Sequence, residues 1–158
     1  MAEADKRLAG RYERILVQLE ELYEKTDNLI ARMATTVAVL HHKMPHYFWT
    51  GFYRVMGEEL VVGPYQGPLA CSVLSGGSGV CFACLKRREP IVVPDVDAFE
   101  GHIACDSRSK SEVVIPLFDE EGRVIGVLDV DAKKKDAFRQ SDVDGLLPIV
   151  ERLVSGTR

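Results

Sequence analysis

The spacing of apolar residues changes twice along the chain, and that succession of periods limits the folds open to it. From Leu8 to Tyr23, the positions Leu8, Tyr12, Ile15, Leu16, Leu19, Leu22 and Tyr23 recur mainly at steps of three and four. That is the stripe of an amphipathic helix. Glu20, Glu21, Glu24 and Lys25 fall mostly off it, as a solvated face would. A second helix fits Leu29, Ile30, Met33, Ala34, Val37 and Ala38, with Asp27 as its predicted N-cap. Pro45 closes it, because proline cannot continue the hydrogen-bond ladder.

From Tyr47 the pattern becomes that of strands. Tyr47 to Val55 is aromatic and β-branched, and Gly57 marks a turn before Leu60 to Val62, which predicts an antiparallel hairpin. Residues 63–79 are rich in Gly, Pro and Ser and read as loop, with at most a short strand around Leu69 to Leu74. A short helix is expected over Val80 to Arg88, a buried strand over Ile91 to Val93, and a long loop over Asp95 to Ser111. The clearest strands are Val113 to Phe118 and Arg123 to Val130. Ser141 is placed to cap a last helix carrying Val143, Leu146, Leu147, Val150 and Val154. The expected fold is α+β, with N- and C-terminal helices packed on one face of a central, mainly antiparallel sheet.

Composition narrows the class further. With 158 residues and 46% hydrophobic content, the expectation is a single domain over residues 1–158 around one core. The 20 Lys+Arg against 24 Asp+Glu give a net charge of -4, unlike the basic balance of a phosphate-backbone binder. No apolar run approaches the roughly 18–20 residues of a membrane span. The segment MAEADKRLAG lacks the apolar stretch of a secretory signal. The expected location is therefore cytoplasmic, where the four cysteines stay reduced unless they work.

Cys71 lies in the Gly/Pro-rich stretch, Cys81 and Cys84 at the start of the short helix, and Cys105 in the long loop. Loops and element ends are where chemistry concentrates. A helix N-terminus would favour the thiolate of Cys81. Asp106 disfavours a thiolate at Cys105, whereas Arg108 and Lys110 favour one. The CxxC spacing of Cys81 and Cys84 admits half a zinc site, completed from Cys71, Cys105 or His102, or a redox pair. Neither has its usual context of paired ligands or a preceding βαβ strand, so no metal is expected and Cys84 reads as a small core hydrophobe.

Asp129 and Asp131 alternate in one strand and so share a face. If the two clear strands pair through their tight turn, Glu112 approaches Asp131. Carboxylates sharing a buried site repel, which drives one toward its neutral, proton-donating form. Such acids can equally mark where strands emerge into water. Trp49 and Tyr53 share a strand face, and Gly51 between them leaves a notch.

The strings WTGFY, GPYQGPLAC, GSGVC, GHIACDSRSKSE and GVLDVDA, in this order, resemble the motifs of the GAF-domain free methionine-(R)-sulfoxide reductases. The resemblance runs from about Trp49 through Phe138. It implies a GAF fold and reduction of free L-methionine (R)-S-oxide by a cysteine nucleophile, through a sulfenic acid and an intramolecular disulfide recycled by thioredoxin. Cys105 then matches the nucleophile, Cys71 the principal resolving cysteine and Cys81 a third redox cysteine. Trp49 and Tyr53 match the pocket for the methyl end, and Glu112, Asp129 and Asp131 the acids that handle the sulfoxide and the amino group. Backbone N–H groups around Ile103, Ala104 and Cys105 would hold the carboxylate. No cofactor is implied. The chain departs from the pattern at Phe82, where a small residue is usual, at residues 74–78, and in having Cys84. The competing reading is a non-catalytic GAF sensor that binds a small ligand. The amphipathic first helix suits a homodimer interface or a cover on the sheet.

Overall fold

The computed structural model describes residues 2–102 and 105–158. The chain runs α1 (Glu3–Tyr23), α2 (Leu29–Lys43), β1 (Trp49–Met56), β2 (Glu59–Gln66), β3 (Val73–Leu74), α3 (Val80–Arg87), β4 (Ile91–Val93), a 3-10 turn (Val96–Ala98), β5 (Ser111–Phe118), β6 (Val124–Ala132) and α4 (Gln140–Val154). The six strands lie in the order β3-β2-β1-β6-β5-β4, every neighbouring pair antiparallel. Among the described residues, no helix is long and apolar enough to cross a membrane.

Alternation along the strands divides the interior in two. Phe52, Val113, Ile115, Leu117, Leu128 and Val130 point to one face, which α2 and α4 cover, with α1 packed on those two helices. Trp49, Tyr53, Val114 and Val127 point to the other, where α3 and the loops pack. The expected α+β arrangement, with terminal helices on one face, is what forms. The α1 stripe buries Tyr12, Ile15, Leu19 and Tyr23. Tyr12 donates to Asp142 Oδ1 and meets the Tyr47 hydroxyl, both at 2.6 Å, tying α1 to α4 and to the entry of β1.

One buried cation fastens the helix ends. Arg32 on α2 donates to the carbonyls of Tyr23 (2.9 Å), Thr26 (2.7 Å), Leu153 (3.1 Å) and Ser155 (2.7 Å). These lie where α1 and α4 finish, and the last carbonyls of a helix have no intrahelical donor. A planar guanidinium with five N–H groups supplies them and sits favourably at two negative dipole ends.

Three sequence expectations change. Asn28, not Asp27, caps α2, its Oδ1 accepting from the Ala31 N–H at 2.9 Å. Both residue types cap well, and the backbone turn selects the second. Ser141 lies inside α4 rather than before it. Asp142 Oδ2 accepts the N–H of Arg139, the N-cap residue, at 2.8 Å, and the Ser141 hydroxyl turns to Asp5 at 3.1 Å. The strand expected to stop at Val62 continues to Gln66 through Gly63 and Pro64. The β1–β2 register shifts between Gly51 and Tyr53, opposite this pair, and β3 covers only Leu60 and Val61. Proline at a bulge with no strand beyond it sacrifices no ladder bond.

Candidate active site

The site grows out of register. On the face opposite the long helices, Trp49 pairs with Asp131 and Asp131 with Glu112, forming one row across β1, β6 and β5. Gly51, Asp129 and Val114 form the next row. The expected approach of Glu112 to Asp131 is therefore met. Glu112 is 4% exposed and Asp129 6%, with Asp131 partly buried.

Among the described residues, these acids have no lysine or arginine partner. Glu112 hydrogen bonds with Asp129 and has the imidazole of His102 beside it, with Nε2 3.7 Å from Oε2. Burial drives all three carboxyl groups up from their usual range. Asp129 and Asp131 push Glu112 further, and Asp129 does the same to Asp131. Ser109 opposes this by hydrogen bonding to Asp131. Raising a buried carboxyl favours its neutral form, which is a proton donor. Burial lowers the His102 imidazole, favouring its neutral form.

Aromatic rings wall one side. Trp49 stacks between Tyr53, at 5.8 Å between centroids, and Tyr65, at 5.4 Å. The notch expected at Gly51 is filled by the Trp49 ring and Tyr65, both of which a Cβ there would strike. Gly51 serves to let the indole lie flat on the sheet. The Tyr53 hydroxyl donates to the Cys71 carbonyl at 3.0 Å, anchoring the loop that carries this cysteine.

Over the pocket, Cys71 and Cys105 form a disulfide, with Cα atoms 5.6 Å apart across a sequence separation of 34. Cys105 is exposed and Cys71 partly buried. The charge beside Cys105 is largely cancelled, since Asp106 is clasped by both Nε and Nη of Arg108 at 3.0 and 2.7 Å. That pairing lowers the Asp106 carboxyl to about 2. Arg108 thus serves Asp106 rather than the neighbouring sulfur. Ile103 and Ala104, expected to line the site through their N–H groups, lie outside the described residues.

Cys81 occupies the first turn of α3, but the expected activation by the helix end is reversed. It is 5% exposed, and burial, followed by Asp129, Glu112 and Asp131, pushes its thiol up. Its Sγ, an oxygen of Glu112 and an oxygen of Asp129 all lie within 4.8 Å of one another. Cys84 points elsewhere. It is fully buried, donates to the Glu89 carbonyl at 3.3 Å, and has its thiol raised to about 12 by burial. The small-hydrophobe reading holds, and the CxxC spacing does not bring the two thiols to one task.

Tyr65, Ser109 and Leu69 were not singled out in the sequence. Leu69 lines the pocket while 86% exposed. Tyr65 fell in the span read as loop. Its position on the shared face follows once β2 is extended past the bulge. Ser109, inside a loop without periodicity, left no such signal.

A family model described as a GAF domain matches residues 19–153. The chain is 44% identical over 144 residues to GAF domain-containing protein A of Dictyostelium discoideum, covering 90% of each. It is 39% identical over 126 residues to the free methionine-R-sulfoxide reductase of Escherichia coli, covering 80% of this chain and 76% of that protein. The solved structure of free methionine-R-sulfoxide reductase from Neisseria meningitidis in complex with its substrate superposes with a TM-score of 0.89. It is 41% identical, with 94% of this chain and 89% of that one covered.

Proposed function

The chain belongs to the GAF-domain free methionine-(R)-sulfoxide reductase family, and we propose that it reduces free L-methionine (R)-S-oxide to L-methionine at the pocket beneath the Cys71–Cys105 disulfide. The observation that carries this reading is the juxtaposition of two joined loop cysteines with three acids of raised pKa, two of them fully buried, and a stacked aromatic wall.

The Cys105 thiolate attacks the sulfoxide sulfur while Glu112 delivers a proton to the oxygen, which makes the sulfur electrophilic. Methionine leaves with the electron pair of its sulfur restored, and Cys105 is left as a sulfenic acid. The Cys71 thiol condenses with it, forming the disulfide and releasing water. A dithiol, thioredoxin or one like it, reopens that bond by exchange. Trp49 and Tyr53 hold the methyl end, Asp129 and Asp131 the ammonium, and N–H groups at Ile103, Ala104 and Cys105 the carboxylate. Cys81 is the reserve thiol. Residues 1–158 act as one cytoplasmic GAF domain without a cofactor.

The test is a thioredoxin-coupled assay on the free (R)-sulfoxide and on the same compound N-acetylated and C-amidated. The blocked compound leaves buried partners at both ends unpaired, at about 1–3 kcal/mol each. Its rate is expected to be at least about a hundredfold lower. Equal rates, or no turnover of the free compound, would remove the reading and favour a ligand-binding sensor.

A further inference from the structure

Glu112, Asp129 and Asp131 are crowded together with no lysine or arginine in contact, among the described residues, so that a cation would release the repulsion that raises the carboxyls of Glu112 and Asp131. Part of the cluster is unusual for a site built only for an ammonium group, because it contains a free thiol. We propose that Cys81, Glu112 and Asp129 form a binding site for a thiophilic divalent cation of the zinc class.

Two observations carry this assignment. The ligand atoms, one from each side chain, lie within 4.8 Å of one another. In a tetrahedral zinc site with S and O ligands, adjacent ligand atoms are roughly 3.3–3.8 Å apart. Contraction by about 1 Å, within reach of side-chain rotation, closes the set. Asp129 hydrogen bonds with Glu112 and Cys81, yet its Oδ1 is buried without a partner, an acceptor still free for a ligand. His102 Nε2 lies 3.7 Å from Glu112 Oε2 but outside the mutually close set of three, so the fourth position is left to water.

The donor set also chooses among cations. Calcium and magnesium need six or more oxygen ligands, and a thiol is a poor one. A sulfur and two carboxylates, with water at the fourth position, suit zinc and its heavier analogue cadmium. The three ligands sit on α3, β5 and β6, which hold them in place before the cation arrives. On binding, the Cys81 thiol and any protonated carboxyl among Glu112 and Asp129 give their protons to solvent, and the cation takes their place. The site shares two acids with the substrate pocket proposed above, but its existence does not depend on that activity.

The disulfide form of the full chain allows a clean test, since Cys71 and Cys105 then offer no thiolate and only Cys81 and Cys84 remain. Titration with cadmium should produce the ultraviolet sulfur-to-cadmium charge-transfer band at one equivalent. Zinc should abolish it by competition. Cys81→Ala should lose the band and Cys84→Ala should keep it. Asp129→Asn should keep it with affinity at least about tenfold weaker. Because Cys84→Ala and Asp129→Asn both retain Cys81, the result does not hinge on Cys81→Ala folding. No band in the unsubstituted disulfide form, a full band in Cys81→Ala, or unchanged affinity in Asp129→Asn would each overturn the assignment. Loss of sulfoxide reduction in the separate coupled assay would leave it standing.

Discussion

Replacing Glu112 by Gln is expected to remove most of the activity while making the protein more stable at alkaline pH. The side chain is 4% exposed, and burial, then Asp129, then Asp131 raise its carboxyl. Glutamine keeps the shape and cannot release a proton to the sulfoxide oxygen. A positioned general acid contributes about 10²–10⁴-fold, or roughly 3–5 kcal/mol of barrier. Stability moves the other way. A folded-state pKa above the unfolded one gives stability that is complete below about pH 4, the unfolded value, and lost as pH rises through the folded value. Each unit of elevation costs about 1.4 kcal/mol once the group ionises, and each kcal/mol moves Tm by about 2–4 °C at this chain length. The unsubstituted enzyme should also slow as pH climbs through that raised value. The assays are methionine release in a single turnover of the reduced protein, and thermal melts at pH 5 and pH 8. Turnover within fivefold of the unsubstituted protein would refute the acid role. A lower Tm for Glu112→Gln at pH 8 would refute the claim that this carboxyl is held against its ionisation.

The remaining expectations concern the thiols and the buried cation. Cys105→Ser should release no methionine even in a single turnover. Cys71→Ser should release about one equivalent and then stall, and the reverse pattern in the two variants would exchange their roles. Cys84→Ala should stay within about threefold of normal steady-state turnover, less than about 1 kcal/mol of barrier, and a larger loss would draw Cys84 into recycling. Arg32→Met leaves four carbonyls at two helix ends without their donor and should cost about 3–5 kcal/mol, lowering Tm by roughly 10 °C. A shift of 2 °C or less would show that water replaces the guanidinium.

What could be read before folding was whatever depends on local period. The α1 stripe, the strand Ile91–Val93 and the cores of β5 and β6, expected over 113–118 and 123–130, follow from the spacing of their apolar side chains, and the acid cluster follows from alternation plus a tight turn. Tertiary context decides the rest. Whether Asp27 or Asn28 caps α2 depends on one backbone turn. Whether Gly63 and Pro64 break β2 depends on having a bulge opposite and no strand outside. Cys81 shows the limit most plainly. Its helix position argued for an acidic thiol, but the acids that oppose this are 31 or more positions away in sequence and reach it only across the sheet.

The sheet separates two kinds of obligation. Along β5 and β6, one residue holds the long helices and the next faces the pocket, so neighbours in sequence answer to different demands. A saturation scan of these strands should therefore alternate: apolar content decides abundance at Val113, Ile115, Leu128 and Val130, whereas charge decides activity at Glu112, Asp129 and Asp131. Such a scaffold can exchange its chemistry through every second position and keep its architecture, which lets one backbone pass between reductase and sensor without refolding.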